Sequence, residues 1–159
     1  MKKISLSIQA AEQELRVALE AKKHPAAAFA AQAAIWLEAC EYPGLKTLQE
    51  ALADEPAIFV LKRGVLGIDL HNVSCAIIGE HVVAEISAKG RALLSNVRHG
   101  LFLLPSSVIH NFGIGCPVDP GFPLGGERTK NPYAEKLALA TTQGISVDED
   151  VWQSLVKNR

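Results

Sequence analysis

The stretch from residue 113 to residue 132 holds Gly113, Gly115, Pro117, Pro120, Gly121, Pro123, Gly125, Gly126 and Pro132. Punctuation at that density sustains neither the period of a helix nor the alternation of a strand. The stretch is therefore expected to be a long ordered loop that separates the body of the chain from its C-terminal end. Loops of that length inside a compact domain are uncommon and often functional, so a site is sought there first.

Ahead of the loop, the first third of the chain reads as helical. Ile8, Ala11, Leu15, Ala18 and Leu19 recur at three- and four-residue steps from a Ser7 cap, which describes one amphipathic helix. Glu12, Arg16 and Glu20 succeed one another on its outer face, and Lys22, Lys23 and His24 suit the negative end of its dipole before Pro25. Pro25 opens a second helix in which Phe29, Ala33, Trp36, Leu37 and Cys40 form a stripe, ended by Tyr42-Pro43-Gly44. Leu45, Leu48 and Leu52 mark a third, short helix before Asp54-Glu55-Pro56.

The middle changes character. Ala57 to Leu61 reads as a buried strand, Val65 to Leu70 and Val73 to Ile78 as two more, and Leu101 to Leu104 as a fourth before Pro105. Val82 to Ser87 fits strand or helix. Beyond the loop, one helix runs from Pro132 to about Gln143 and stops at Gly144; another starts after Ser146 or Asp148 and carries Val151, Trp152 and Leu155. The expected architecture is a single α+β domain over residues 1–159. In it an N-terminal three-helix unit (1–55) packs with a small mixed or antiparallel sheet (56–112), succeeded by the loop (113–132) and two C-terminal helices (132–159).

Composition narrows the partners. With 159 residues, 48% of them hydrophobic and 21% charged, the chain buries enough surface for one ordinary domain. Sixteen basic against seventeen acidic residues leave no supercharged face, so nucleic acid is not an expected partner. The longest apolar stretch, Pro25 to Leu37, falls short of the roughly 20 residues that span a bilayer, so no membrane partner is expected. Gln9, Glu12, Glu14 and Arg16 would interrupt the apolar region of a signal peptide, and a cytoplasmic location is expected. Cys40, Cys75 and Cys116 are an odd, unclustered set, which reads as reduced thiols rather than as a disulfide framework or zinc site. No cofactor and no metal are expected.

Several segments share a further likeness: Leu6-Ser7, Ala33-Ala34-Ile35-Trp36-Leu37-Glu38-Ala39, Pro43-Gly44-Leu45, Leu48 to Leu52, Asn72-Val73-Ser74, Leu103-Leu104-Pro105, Arg128 to Lys136, Gly144-Ile145 and Trp152. Together they resemble a bacterial family catalogued as domain of unknown function 3726, over most of the chain. The resemblance implies a bacterial, soluble, metabolic context and carries no activity with it, so function has to be argued from residues.

Arg128, Lys130 and Asn131 immediately precede Pro132. Two cations and a capping side chain would gather at the positive end of a helix, where open backbone donors favour a carboxylate or phosphate. The blander reading is that Asn131 only caps the helix while Arg128 pairs with Glu127, Glu135 or solvent. Gly121 and Gly126 have the spacing of a phosphate loop, but Glu127 stands where lysine is needed and Pro123 interrupts the turn. Gly113-Ile114-Gly115 lacks the third glycine of a dinucleotide fingerprint. Cys116, with His110 before it and Asp119 after it, would supply a thiolate, a base and an orienting carboxylate if the loop folded back, and is otherwise an inert small hydrophobe. Asp69 and His71 sit at alternate positions of a strand, on one face, with Asn72 at the turn beyond. That would orient a general base, or make an edge hydrogen bond. His81 and His99 read as surface or pocket-rim residues, Arg98-His99 and Lys62-Arg63 as solvated turn charges, and Trp36 and Trp152 as packing anchors.

The function expected from these residues is binding of a small anionic metabolite beside the 113–133 loop through Arg128, Lys130 and Asn131. If the protein is an enzyme, Asp69, His71, His110 or Asp119 moves the proton. The alternative is a non-catalytic subunit or assembly protein whose Ala-rich helix 25–40 packs on a protein partner or a second copy, since small residues let helices approach closely.

Overall fold

A computed structural model describes residues 2–53, 62–64, 67–89, 91–110, 113–115 and 133–157. In chain order the elements are β1 (Lys3–Leu6), α1 (Ile8–Ala21), α2 (Ala27–Ala39), α3 (Gly44–Leu52), β2 (Lys62–Gly64), β3 (Gly67–Asp69), α4 (Cys75–Lys89) and β4 (Arg91–Ser95). A 3-10 turn (Gly100–Leu103) then leads into α5 (Leu104–His110), succeeded by β5 (Gly113–Gly115), α6 (Ala134–Gln143), β6 (Ile145–Asp148) and α7 (Glu149–Val156). The fold is α+β. Contacts gather into two compact units: Met1–Ala53 with Asn131–Arg159, and Asp54–Lys130.

In the first unit, α1 starts where its chemistry requires. The Ser7 Oγ accepts the Ala10 amide at 3.2 Å, and Ala11, Leu15, Ala18 and Leu19 are buried along one face. The helix closes in a Schellman turn, with the Lys23 amide donating to Glu20 O and the His24 amide to Leu19 O, both at 3.0 Å. Lys22 does not serve its own helix's end. Its Nζ donates to Leu155 O at 2.7 Å and Ser154 O at 3.4 Å, at the negative end of α7.

Helix α2 begins two residues later than Pro25, at Ala27. Its residues Ala27, Ala30, Ala31, Ala33, Ala34, Ile35, Leu37 and Ala39 are all buried, because α1 and α3 flank it and α6 and β6 also pack on it. A second Schellman turn ends it: Glu41 N donates to Glu38 O at 3.0 Å and Tyr42 N to Leu37 O at 2.8 Å. Helix α3 crosses α2 so closely that a Cβ on Gly44 would stand 2.4 Å from Ala34 O. Helix α7 is capped by Asp148, whose Oδ1 accepts the amides of Asp150 (2.9 Å) and Val151 (3.3 Å), and buries Trp152 and Leu155.

Strands β1 and β6, which the sequence does not announce, pair antiparallel from Lys3 against Asp148 to Leu6 against Ile145. Each alternates, with Ile145 and Val147 buried, but over four residues only. So short a pattern declares itself only when its distant partner is known.

The second unit contains a four-stranded mixed sheet in the order β2-β3-β4-β5. Strand β2 is antiparallel to β3, while β3, β4 and β5 run parallel. Helices α4 and α5 are the crossovers that parallel neighbours need. Two expectations are overturned here. Val73 to Ile78 is not a strand, because Cys75 onward belongs to α4, which also takes in Val82 to Ser87; its buried Cys75, Ile78, Val82 and Ile86 keep helical spacing. Leu101 to Leu104 is likewise helical turn rather than strand, and the run is buried throughout, so no alternation distinguishes the two. Of Val65 to Leu70, Gly67–Asp69 is strand as expected; Lys62–Gly64, read as turn, is strand β2, and Gly113–Gly115, read as loop, is strand β5. The strand expected at Ala57 to Leu61 lies outside the described residues.

Candidate functional site

Parallel strands share a direction, so β3, β4 and β5 end on the same edge of the sheet, at Asp69, Ser95 and Gly115. In open parallel sheets ligands bind outside the carboxyl ends of the strands. Beyond that edge the segments after β3 and β4 stay side by side. Leu70 N donates to Ser95 O (3.0 Å), Asn72 N to Asn96 O (2.9 Å) and Cys75 N to Arg98 O (2.9 Å).

This pairing forces an unusual backbone. His71 (φ 51°), Asn72 (59°), Asn96 (52°) and His99 (55°) are all left-handed; among the described residues only Lys23 and Glu41 are the other non-glycine cases. Asparagine tolerates this conformation better than most residues, whereas histidine accepts it at a cost of about 1 kcal/mol. Local strain of this sort collects where a protein positions functional groups.

The side chains converge as the backbone dictates. Asp69 Oδ1 accepts from the His71 amide at 2.8 Å and from Asn96 Nδ2 at 2.9 Å, and Asp69 Oδ2 lies 3.7 Å from His71 Nδ1. The carboxylate and the imidazole expected to share a strand face do come together, but for a different reason. β3 ends at Asp69, and a left-handed turn, not strand alternation, brings His71 back over the carboxylate.

Next to them, Ser74 Oγ and His99 Nδ1 are 2.7 Å apart, while Ser74 Oγ accepts the Ala76 amide at 3.1 Å. The Ser74 oxygen, with two lone pairs and one proton, bridges the start of α4 and the imidazole. Ser74 is also the cap of α4. The first amides of that helix are spoken for by Arg98 O, Ser74 Oγ and Ser74 O, so a ligand at this edge meets side chains rather than open helix donors. His99, read from sequence as a surface or pocket-rim residue, is half-buried and hydrogen-bonded to Ser74. The signal that it belonged with Ser74 was the parallel pairing of two segments 25 residues apart, which no local pattern carries.

Other expected site residues are not gathered here. His110 ends α5, the helix that returns the chain to the start of β5, so it stands at the opposite end of the sheet from Asp69. Cys116, Asp119, Arg128, Lys130 and Asn131 lie outside the described residues. Helix α6 begins at Ala134, not at Pro132, and Tyr133 occupies its cap position without a side-chain cap bond. Cys40 and Cys75 are buried thiols outside any disulfide, and burial pushes the Cys40 thiol up to about 11, away from nucleophilic use. Among the described residues no cluster of three or more His, Cys, Asp or Glu is placed to hold a metal ion. No described helix is long and apolar enough to cross a membrane.

No family model matches the chain, and no curated protein or solved structure matches it either.

Proposed function

We propose that this protein binds a small anionic metabolite, a carboxylate or phosphate, at the carboxyl edge of β3, β4 and β5, with Asp69 and His71 supplying acid and base chemistry there. One observation carries the reading: four left-handed residues at this edge hold Asp69, His71 and Asn96 in a single hydrogen-bonded group. His71 and Arg98 are exposed at this edge, where their side chains face an incoming anion's charge. Asp69 would orient the imidazole and stabilise the imidazolium formed when His71 takes a substrate proton. The 3.7 Å between Asp69 Oδ2 and His71 Nδ1 is too long for a hydrogen bond and would shorten as a ligand draws charge onto the ring. Arg128 and Lys130 belong to the same proposal as charge partners, in the segment of sequence after β5. The resemblance to domain of unknown function 3726 adds a bacterial, soluble, metabolic setting to it.

Thermal unfolding against a panel of small carboxylates and phosphates tests this. A true ligand at roughly 100 times its dissociation constant adds about 2.7 kcal/mol of stability. Asp69→Asn and His71→Asn, the latter chosen because asparagine keeps the left-handed turn, should each remove the shift while the unliganded transition persists. A panel without any effect, or a shift that survives both substitutions, rejects the reading.

A further inference from the structure

The first unit holds a cleft of about 610 Å³ lined by the end of α2, the start of β6 and one side of α6. That volume lies within the range of roughly 300–1,000 Å³ typical of small-molecule sites. Its apolar wall is made by Leu139, Ala140 and Ile145, and Leu139, 55% exposed, presents aliphatic surface to the cleft. The walls are fixed in place. Tyr42 and Tyr133 share a hydrogen bond at 3.0 Å, Lys136 pairs with Glu41, and at Gly144 a Cβ would stand 2.4 Å from Leu6 O.

Two groups of opposite charge line this cleft with capacity to spare. Glu38, half-buried on the last turn of α2, uses Oε1 to accept the Leu45 amide at 2.9 Å, and Oε2 makes no hydrogen bond to the described residues. Lys3 of β1 makes no ion pair among the described residues, yet lies close enough for its charge to act on Glu38. The remaining pair of charges, Lys136 and Glu41, neutralise one another.

A spare carboxylate oxygen, a spare ammonium and an aliphatic wall within one concave site select for a ligand with the reverse arrangement. We infer that this cleft binds a free α-amino acid with an apolar side chain, its ammonium on Glu38, its carboxylate on Lys3 and its side chain against Leu139 and Ala140. A ligand without an ammonium would leave the half-buried Glu38 oxygen unanswered, and one without a carboxylate would leave the exposed Lys3 charge unused. The site is separate from the sheet edge of the second unit, so either assignment stands or falls alone.

The test is an amide NMR titration of the full chain with L-leucine, L-valine and L-phenylalanine, reading Ala39, Gly144 and Ser146. N-acetyl-L-leucine, which lacks the ammonium, and L-leucinamide, which lacks the carboxylate, serve as matched probes. Saturable shifts with at least one free amino acid are expected, with both capped probes weaker by about tenfold or more. Glu38→Gln, which keeps an acceptor for Leu45 N, and Lys3→Met, at an exposed strand position, should each abolish saturation. If Glu38→Gln fails to fold, Lys3→Met decides. No saturable shift with any of the three amino acids, equal binding of a capped probe, or binding that persists in Lys3→Met overturns the inference.

Discussion

Lys23 and Glu41 occupy the left-handed positions just past α1 and α2 (φ 59° and 66°), where glycine would be unstrained. Lys23 makes no ion pair among the described residues, whereas Glu41 holds Lys136. Lys23→Gly should therefore raise stability by about 1 kcal/mol, seen as a higher urea midpoint at unchanged slope. His24, next along, has Nδ1 accepting the Ala26 amide at 3.0 Å, while Nε2 is buried without a hydrogen-bond partner among the described residues. Burial lowers the His24 pKa, so as pH falls below 6.5 the unfolded chain takes up a proton that the folded chain refuses. Its contribution is complete above pH 6.5 and is lost as pH drops toward the depressed folded value. Unfolding monitored across that window should show the decline, and His24→Asn should flatten it. Single residues were legible where their partners are local: the Ser7 and Asp148 caps are set by neighbouring amides. Lys22 at the end of α7, and Ser74 against His99, depend on tertiary pairing and were not.

At the scale of elements, α1 and α7 could be read because each buries one stripe and exposes the rest. Helix α2 is packed on nearly every side, so the stripe read along Phe29, Ala33, Trp36, Leu37 and Cys40 is only part of what it buries. Its alanines are a packing requirement within the first unit. Ala34 is fully buried, with its carbonyl against Gly44. Ala34→Leu should cost about 1–3 kcal/mol by overpacking, measurable as a lowered thermal midpoint. Helix α4 misled in the opposite direction: Ile77 beside buried Ile78, and Val83 beside buried Val82, make short β-branched pairs that read as strand within a helical pattern. The sheet edge was legible only in its ingredients. Asp69 and His71 could be singled out, but the turn that joins them and the strand pairing that adds Asn96 and His99 are set by the register of β3 on β4.

The whole molecule has an order that local patterns do not disclose. Its first unit is assembled from both ends of the described chain, with β1 paired to β6, while the second is formed by the residues between them. Gly144 is the hinge of that closure, since its φ of 79° and its approach to Leu6 O leave no room for a side chain. Gly144→Ala should destabilise the first unit by about 2 kcal/mol or more through strain and loss of the β1 pairing. Hydrogen exchange at Ile4 to Leu6 should rise, and the amides around Asp69 should be unaffected.

The nested order also has a consequence in time. During synthesis, every residue from 54 to 130 is in hand before β6 and α7 exist. The second unit can complete its sheet while α1 to α3 wait, with β1 unpaired and the place of Trp152 unfilled. A nascent chain halted just after the second unit has emerged should thus hold a finished sheet beside an N-terminal helical segment that still depends on residues not yet translated.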